Sequence, residues 1–498
     1  MWSVIRENTY AVGVCAFSSL GGIFFGYDNG VAGGVMVMRS FLNDFCIGYG
    51  GNSDPDCTAA SARLPTNWLN FTTLYNVLYY IGCMFGAIVG GYTADKYGRR
   101  VTIFSAGVFY ALGCIVLVVS GFGAHAQVFV ARLIQGFGVG TASFSLPIFA
   151  AEMAPKELRG MLSGLMQMAC VTGIMLAGII NTIVQHTANG WRITVGIGII
   201  FPLIVMAGIF SVPESPRWSF KNKGREAAAV QLKKLRRSLD IDNELDAIGE
   251  VLDEEGAHQA SWTDLWHDRS VRRRVVIAMG LQVLQQATGV NPVFAYGGQI
   301  FNDVVGLGIV CLLMIQIVNF VSTIPAMYWV DRFGRRLLLL VGGVGMVLGH
   351  VVSATAFTIG CDGDTVSLGC SKSAGWVMVV FTMIFIFSFA ISWGPICWIY
   401  PAEIFPMNVR AKAVSISTTT NWAMGALMIG IPKLFPYLNI NGVFYLFAAL
   451  CLVAGTFVYF KCPETKGLLL EDIEQLFKKP SDQQQHLPTP KTPIPDAI

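Results

Sequence analysis

The chain has 498 residues, of which 54% are hydrophobic and 13% are charged, with a net charge of +3 and a mean hydropathy of +0.56. Soluble domains carry about 25% charged residues, so this composition excludes an ordinary soluble globule, and the small net charge gives no support for a nucleic-acid partner. Apolar stretches of about 20 residues recur along the chain, each long enough to cross a hydrocarbon layer about 30 Å thick.

Twelve such stretches are predicted to be membrane-spanning helices, because lipid leaves only helices or closed barrels and stretches of this length form helices. The first stretch is too long for a cleavable signal peptide, and it contains an aspartate. The predicted spans, numbered 1 to 12 in chain order, cover residues 10–36, 68–94, 101–121, 127–151, 161–184, 191–212, 275–302, 306–330, 337–359, 374–402, 411–436 and 440–461.

The basic residues concentrate in the short loops after spans 2, 4, 8 and 10. Alternate loops hold few bases, chiefly Arg39, Arg63 and Lys372. The positive-inside rule therefore predicts that both termini and the long 213–274 loop are cytoplasmic. The bases of the rich loops are Lys96, Arg99, Arg100, Lys156, Arg159, Arg332, Arg335, Arg336, Arg410 and Lys412.

Eight of the twelve cysteines fall in or at the ends of spans, where we interpret them as small hydrophobic residues. The other four lie in the two longest exterior loops, where three pairings are open and at least one disulfide is predicted. Asn70 opens a candidate glycosylation sequon, Asn-Phe-Thr, close to the membrane. Exterior cysteines and a sequon favour the plasma membrane. The four exterior cysteines are Cys46, Cys57, Cys361 and Cys370.

The same motifs occur twice, each at the cytoplasmic end of the equivalent span. Two parallel halves around an axis normal to the membrane form a transporter architecture, with substrate held between them. We predict an all-α membrane protein of two pseudo-symmetric six-helix bundles. Its parts are residues 1–218, a cytoplasmic helical linker at 219–274, residues 275–467, and a partly disordered tail at 468–498. The repeated motifs are Asp95 with Gly98-Arg99-Arg100 and Asp331 with Gly334-Arg335-Arg336; Glu152 with Arg159 and Glu403 with Arg410; and Pro213-Glu214-Ser215 and Pro463-Glu464-Thr465.

These motifs resemble those of the major facilitator superfamily and, within it, the sugar porters, with plant and fungal monosaccharide–proton symporters most similar. The resemblance covers nearly the whole chain. It implies the major facilitator fold and a carrier, not an enzyme, that imports a glucose-like hexose with a proton, works as a monomer in the lipid bilayer and needs no cofactor or metal. The stretches that carry it are 91–100, 213–218, 285–291 and 463–467.

Neutral amides inside the spans are candidate sugar ligands, because each offers donors and an acceptor without the desolvation cost of a charge. A structural alternative is that they cross-link helices, which contributes about 0.6 kcal/mol each. Trp398 offers a flat face for the sugar ring, although indoles also populate interfacial belts. The resemblance assigns all these positions to sugar binding. The candidate residues are Gln167, Gln285, Gln286, Asn291, Asn319, Asn421 and Trp398.

Helix breaks are predicted in spans 7 and 10. Pro292 disfavours helical conformation at Asn291, and span 10 contains Gly394, Pro395 and Pro401 around Trp398. Sugar porters commonly have two gating tyrosines in span 7. Here Ala295 occupies the first of those positions, and Tyr296 remains alone.

Asp28 is an ionisable group inside span 1 and is therefore a functional candidate by default. At 1.5 Å per residue, Asp28 and Arg132 of span 4 lie roughly 12 and 8 Å below the outer surface, so they can meet. The resembled symporters have an acid and an arginine at these positions, whereas passive glucose carriers typically have asparagine in place of the acid. The two residues are candidates for proton coupling, with a permanent structural ion pair as the alternative.

Charged residues at the inner ends of both halves are candidates for a gating network that holds the halves together when the carrier faces outward. Simple positive-inside anchoring is the alternative. The candidates are Asp95, Arg99, Arg100, Glu152, Arg159, Asp331, Arg335, Arg336, Glu403 and Arg410.

Two other functions compete with proton-coupled import. One is a passive carrier of sugars or polyols, and the other is a non-transporting sugar receptor, although such receptors usually have a long signalling tail. An enzyme is not expected, because the sequence contains no metal-ligand cluster, and the lone His350 of span 9 is interpreted as a hydrogen-bonded core residue.

Overall fold

The computed structural model describes residue 6, residues 8–59, 63–155, 158–237, 241–256, 262–361, 371–405 and 407–466, and residue 477. The all-helical fold with twelve spans is confirmed. The first six spans are Thr9–Ser19 with Gly21–Val35, Thr66–Tyr97, Arg99–Val118, His125–Met153, Arg159–Val184, and Gly190–Ile197 with Ile200–Ile209. The last six are Arg269–Ala287 with Val290–Val305, Gly308–Phe333, Arg335–Gly360, Lys372–Ala390 with Trp393–Ile404, Met407–Met428, and Phe435–Lys461.

Within the described residues, ten helices are long and apolar enough to cross a membrane, and they include every span except 7 and 11. Span 7 starts with a basic turn and carries three buried glutamines, while span 11 carries buried serine, threonine and asparagine side chains. Neighbouring helices cover these side chains, so lipid does not demand an apolar surface there. These two polar spans are therefore the candidates to carry the functional site.

The two halves meet along spans 2 and 11, spans 5 and 8, and spans 1 and 7. Inside the first half, span 4 packs on spans 2 and 3, and span 1 packs on span 5. Inside the second half, span 9 packs on spans 10 and 12. Spans 1, 2, 5, 7, 8 and 11 therefore surround the path between the halves.

The linker between the halves is helical, as predicted, and has a small apolar core separate from that of the spans. Its helices are Pro216–Lys223, Arg225–Arg236, Asp242–Gly256 and Asp264–His267. The predicted end of span 11 at residue 436 is wrong. That helix ends at Met428, and a short 3-10 turn, Ile431–Leu434, with Pro432 inside it, precedes span 12.

The outer loop between spans 1 and 2 contains two short helices, Arg39–Phe45 and Asp54–Cys57, joined by a Cys46–Cys57 disulfide. The predicted exterior disulfide is therefore confirmed, and Cys361 is disulfide-bonded as well. Cys370 lies outside the described residues. The eight cysteines predicted to lie in or at the ends of spans are free and buried. Asn70 is exposed near the outer end of span 2.

Spans 1 and 5 approach each other through glycines, as small residues allow in membrane helices. A Cβ atom added at Gly26 would lie 1.8 Å from the carbonyl oxygen of Cys170, and one added at Gly173 would lie 2.1 Å from that of Ile23. Because these contacts are to backbone, no side-chain rotation can relieve them. This contact fixes the position of the helix that carries Asp28.

We predict that Gly26→Val forces spans 1 and 5 apart and destabilises the protein by about 3 kcal/mol, the upper end of the cost of overpacking. Gly13→Val is the matched control in the same span, because a Cβ at Gly13 meets nothing within 4 Å. The measurement is thermal unfolding of the purified variants in detergent. Equal melting temperatures for the two variants would contradict the prediction.

Candidate functional site

Four amide side chains of spans 7 and 11 form one hydrogen-bonded group, here called the amide cluster: Gln282, Gln285, Gln286 and Asn421. Asn421 Nδ2 donates to Gln282 Oε1 at 2.6 Å and to Gln285 Oε1 at 2.7 Å. Gln286 Nε2 donates to Asn421 Oδ1 at 2.8 Å. Asn291 Nδ2 extends the cluster by donating to Gln286 Oε1 at 2.5 Å. Four of the predicted sugar ligands therefore lie together.

Gln282 is a member that the sequence reasoning missed. It precedes Gln285 and Gln286 by three and four residues, the spacing that places side chains on one helix face, and that signal could have found it. Its Nε2 donates to the Cys397 carbonyl oxygen at 2.8 Å, and Gln285 Nε2 donates to that of Trp393 at 2.9 Å. The cluster is thus attached to the backbone of span 10.

The break in span 7 lies at Thr288 and Gly289, because Gly289 has a φ of +86°, a conformation that favours glycine. The prediction that Pro292 keeps Asn291 out of the helix is wrong. Both residues belong to the first turn of Val290–Val305, where the missing proline N–H has no helical partner to lose. The break releases Asn291 onto a second helix segment that can move separately from the glutamines.

The break in span 10 lies at Ser392, with φ −137° and ψ −86°. The prediction that Gly394 and Pro395 interrupt the helix is therefore late by two or three residues, because both fall in the first turn of Trp393–Ile404. Pro401 lies inside that segment. Gln285 donates to the carbonyl oxygen of Trp393, the first residue after this break.

Of the three other predicted sugar ligands, one lines a second cavity between the halves. Gln167 lines this cavity with Thr323, Pro395 and Ile399. Trp398, next to Ile399, is half-buried. Asn319 is buried one turn from Thr323, and within the described residues it makes no hydrogen bond to the amide cluster. The structure therefore does not bring Trp398 and Asn319 into the amide cluster.

Tyr296 closes the outer end of the path. Its hydroxyl donates to the Ile429 carbonyl oxygen at 3.1 Å and accepts from Asn76 Nδ2 at 3.4 Å. A pocket on its outer side includes Trp68, and a central cavity on its inner side includes Asn291. Tyr296 lines the outer pocket, its neighbour Ala295 lines both spaces, and its two hydrogen-bond partners, Asn76 and Ile429, line the central cavity.

Trp422 is a second residue that the sequence reasoning missed. It is buried beside Asn421, and its Nε1 donates to Ser143 Oγ of the other half at 3.2 Å. Its ring also contacts Phe25 of span 1 and Tyr80 of span 2. It therefore connects the cluster-bearing span 11 to three helices of the first half.

The predicted partners Asp28 and Arg132 are in direct contact. Arg132 Nη1 lies 2.9 Å from both carboxylate oxygens, and the two residues are only 1% and 3% exposed. Arg132 also donates to Gln135 Oε1 at 3.0 Å and to the Tyr75 carbonyl oxygen at 3.2 Å. Arg132 lines the same central cavity as Asn291. The arginine of the ion pair and the outermost amide of the group thus border one space.

The inner charged residues form two equivalent networks. Arg99 pairs with Glu152 at 2.9 Å and with Asp95 at 3.3 Å. Arg335 pairs in the same way with Glu403 at 2.8 Å and with Asp331 at 3.1 Å.

Among the described residues, the ion pairs of Arg99 and Arg335 lie within one half and do not join the two halves, contrary to the prediction for these residues. Each joins helices of one half, because the arginine at the start of span 3 or 9 reaches the end of span 4 or 10 beside it. Arg410 donates to the Phe405 carbonyl oxygen, and Arg100 and Arg336 donate to backbone carbonyls of Phe210 and Tyr459. The side chain of Arg159 lies outside the described part of the chain.

Two repeated glutamates hold the starts of spans 3 and 9. Glu214 accepts from the backbone N–H groups of Arg99 and Arg100, both at 3.2 Å. Glu464 accepts from those of Arg335 and Arg336, both at 2.9 Å. Such carboxylates satisfy free N–H groups and complement the helix dipole, even though burial raises the pKa of the Glu214 carboxyl. The repeated Pro-Glu-Ser and Pro-Glu-Thr motifs therefore have a structural role.

His350 is buried in the core of the second half, as predicted, but only one of its nitrogens is hydrogen-bonded. Nε2 lies 2.9 Å from the Thr288 carbonyl oxygen, next to the break in span 7, and Nδ1 has no partner. The Phe385 ring lies 4.0 Å away.

Comparison with known proteins agrees with this architecture. Residues 14–477 match the family model for sugar (and other) transporters. The chain is 34% identical to the low-affinity glucose transporter HXT3 of Saccharomyces cerevisiae over 93% of this chain and 81% of the relative. It is 32% identical to the probable glucose transporter rco-3 of Neurospora crassa over 96% and 81%. It is 29% identical to sugar transport protein 1 of Arabidopsis thaliana over 95% and 91%.

Solved structures share the fold. The proton:xylose symporter XylE bound to 6-bromo-6-deoxy-D-glucose superposes with a TM-score of 0.78 and 25% identity, over 95% of this chain and all of XylE. The chain therefore belongs to the sugar transporter family of the major facilitator superfamily. It is a multi-pass membrane transporter and not an enzyme.

We predict that Glu214→Gln and Glu464→Gln each destabilise the protein by about 1–3 kcal/mol, because an amide NH₂ would face backbone N–H donors that lose an acceptor. The control is Glu250→Gln on the exposed linker surface, which should change stability by less than about 0.5 kcal/mol. Thermal unfolding in detergent measures all three. The structural role of the two glutamates is wrong if both motif variants have the same melting temperature as the control.

Proposed function

We propose that this sugar transporter imports a hexose-type monosaccharide together with a proton by alternating access. The observation that carries the proposal is that Arg132, the ion-pair partner of the buried Asp28, borders one central cavity together with the amide Asn291. The names of the glucose-transporter relatives support a hexose as the substrate. The name of the proton:xylose symporter supports coupling to a proton.

The sugar is held by amides of the second half facing the first half. A sugar hydroxyl both donates and accepts, so it can replace an amide as hydrogen-bond partner inside the cluster without leaving a buried group unpaired. Gln285, Gln286, Asn291 and Asn421 supply these groups, while Gln167, Asn319 and Trp398 bind the sugar on its inner side. The same exchange of partners lets the sugar leave without a large desolvation cost.

The proton acts on the ion pair. Two charges buried between helices are stable only while each compensates the other, so a proton on Asp28 removes the main attraction between spans 1 and 4. Span 1 is then free to shift. A Cβ at Gly33 of span 1 would lie 1.9 Å from the Phe294 carbonyl oxygen, so the outer segment of span 7 must follow span 1. That segment carries Asn291 and Tyr296, which links the proton to the sugar and to the outer gate.

The membrane potential provides enough energy for accumulation. Moving one charge across ~100 mV supplies roughly 2.3 kcal/mol. At 1.36 kcal/mol per decade this supports about a fifty-fold sugar gradient.

Orientation and location complete the proposal. Both termini and the linker are cytoplasmic by the positive-inside rule, and the plasma membrane is supported by the exterior Cys46–Cys57 disulfide and the exposed sequon at Asn70. The inner networks of Arg99 and Arg335 brace each half as a rigid unit during the movement. This replaces the idea that they tie one half to the other.

We predict that Asp28→Asn abolishes accumulation of radiolabelled hexose against a gradient while equilibrium exchange persists, because the site loses its titratable group and keeps its shape. The control is Asp246→Asn, which removes an exposed linker ion pair with Arg225 of small energetic value. Uptake is measured in a transport-deficient host with and without a protonophore. Undiminished accumulation by the Asp28 variant would show that Asp28 does not carry the coupled proton, whereas no accumulation by the unmodified protein would favour a passive carrier.

We predict that Asn421→Leu raises the KM for hexose at least about tenfold, since one or two hydrogen bonds worth about 1 kcal/mol each are lost and glutamine partners are left unpaired. Gln185→Leu is the matched amide control, because Gln185 donates to the Thr182 carbonyl oxygen of its own helix at the outer end of span 5. Initial uptake rates over a range of sugar concentrations give KM. An unchanged KM for the Asn421 variant would remove the cluster from the sugar site.

A further inference from the structure

Two tyrosine rings contact the buried arginine. The Arg132 Cζ atom lies 4.3 Å from the centre of the Tyr75 ring and 4.5 Å from that of the Tyr79 ring. The tyrosines are four residues apart on span 2, so they lie on one helix face. Both are almost completely buried, with 0% and 1% exposure. The arginine therefore has aromatic contacts besides its carboxylate partner.

The hydroxyl groups of these tyrosines contribute nothing visible to that contact. Tyr75 Oη is buried and has no hydrogen-bond partner among the described residues, whereas buried tyrosine hydroxyls usually have one, and the Tyr79 hydroxyl faces the Cys83 thiol. The part of each tyrosine that faces the cation is its ring. An aromatic face is negative, and its attraction for a cation is strongest when both groups are desolvated.

Proton coupling creates a state in which such a contact is needed. When Asp28 is neutral, the Arg132 cation stays buried without a counter-ion, which is costly. Its remaining hydrogen-bond acceptors, Gln135 Oε1 and the Tyr75 carbonyl oxygen, are uncharged. A carrier that passes through this state on every cycle needs another source of negative potential at the guanidinium.

We propose that the rings of Tyr75 and Tyr79 form an aromatic cage that holds the Arg132 cation while Asp28 carries a proton. This inference rests on the proposed proton coupling and assigns both tyrosines as positioning residues for it. The cage is neutral, so it stabilises the unpaired arginine without competing with the carboxylate for the proton.

The cage favours the protonated state. The face of each ring attracts the guanidinium and repels the Asp28 carboxylate, so its net stabilisation grows once the carboxylate is neutral. Of the titratable side chains that face Asp28 from spans 1 to 4 in the described residues, Arg132 alone is charged near neutral pH. The others are Tyr75, Tyr79, Tyr80, Cys83, Tyr110 and Cys114.

The test compares the double variants Tyr75→Leu/Tyr79→Leu and Tyr75→Phe/Tyr79→Phe, with hexose uptake measured against external pH. Phenylalanine keeps the ring and removes a hydroxyl that makes no hydrogen bond to Arg132 or Asp28 in the described residues, so its pH midpoint should equal that of the unmodified protein. Leucine removes the aromatic face, so the midpoint should move to more acidic pH by about one unit, with one unit corresponding to about 1.4 kcal/mol of differential stabilisation. Where the double leucine variant does not fold, Tyr79→Leu alone serves, with about half the shift.

Two results would overturn the cage. One is an unchanged midpoint in the leucine variants. The other is an equal shift in the phenylalanine variant, which would make the hydroxyls a proton relay instead.

Failure of the proposed function can be distinguished from failure of the cage. If proton coupling is wrong, hexose uptake by the unmodified protein will depend on neither pH nor a protonophore. Melting temperatures test the cage independently. Asp28→Asn should destabilise the leucine background more than the phenylalanine background, and equal losses in the two backgrounds would contradict the cage.

Discussion

A carboxylate and a guanidinium, each less than 5% exposed, face each other inside a bundle of membrane helices. Neither charge can be buried alone without a large cost, so each fixes the position of the helix that bears the other. Asp28 sits on a span that approaches span 5 so closely that only glycine fits, and Arg132 is held by Gln135 and by the backbone of span 2. The packing of the first half therefore buries this pair and keeps the two charges in contact.

The second half is built on a different principle. Its polar groups are amides that already have partners, so the cluster around Asn421 is stable when empty and can exchange one partner for another. Spans 7 and 10 of this half are both broken. Backbone carbonyls of span 10 accept hydrogen bonds from the cluster, and the outer segment of span 7 begins beside the cluster at Val290. In the proposed mechanism, a proton acts on the charged first half and a sugar binds to the polar second half. The contact of Gly33 with the backbone of Phe294 links the two.

Much of this was readable from the sequence. The repeated motifs predicted the two halves, and the depth of each residue along its helix predicted that Asp28 can meet Arg132. Other features depend on packing that a sequence does not display. The break in span 7 was predicted at Pro292. It lies earlier, at Gly289, because the positive φ of that residue ends the helix there. The inner arginines were expected to bridge the halves, but their nearest acids lie on the adjacent helix of the same half. Gln282 and Trp422 were visible in the sequence, although only their partners reveal their importance.

In the proposed mechanism, sugar entry is accompanied by a proton carried through the Asp28–Arg132 site. Purified protein in liposomes that enclose a pH-sensitive dye tests it most directly. With an inward proton gradient and the membrane potential clamped, external hexose should accelerate acidification of the lumen, whereas an Asp28→Asn protein should take up hexose with no such acceleration. Hexose uptake by the unmodified protein at an unchanged rate of acidification would contradict the claim.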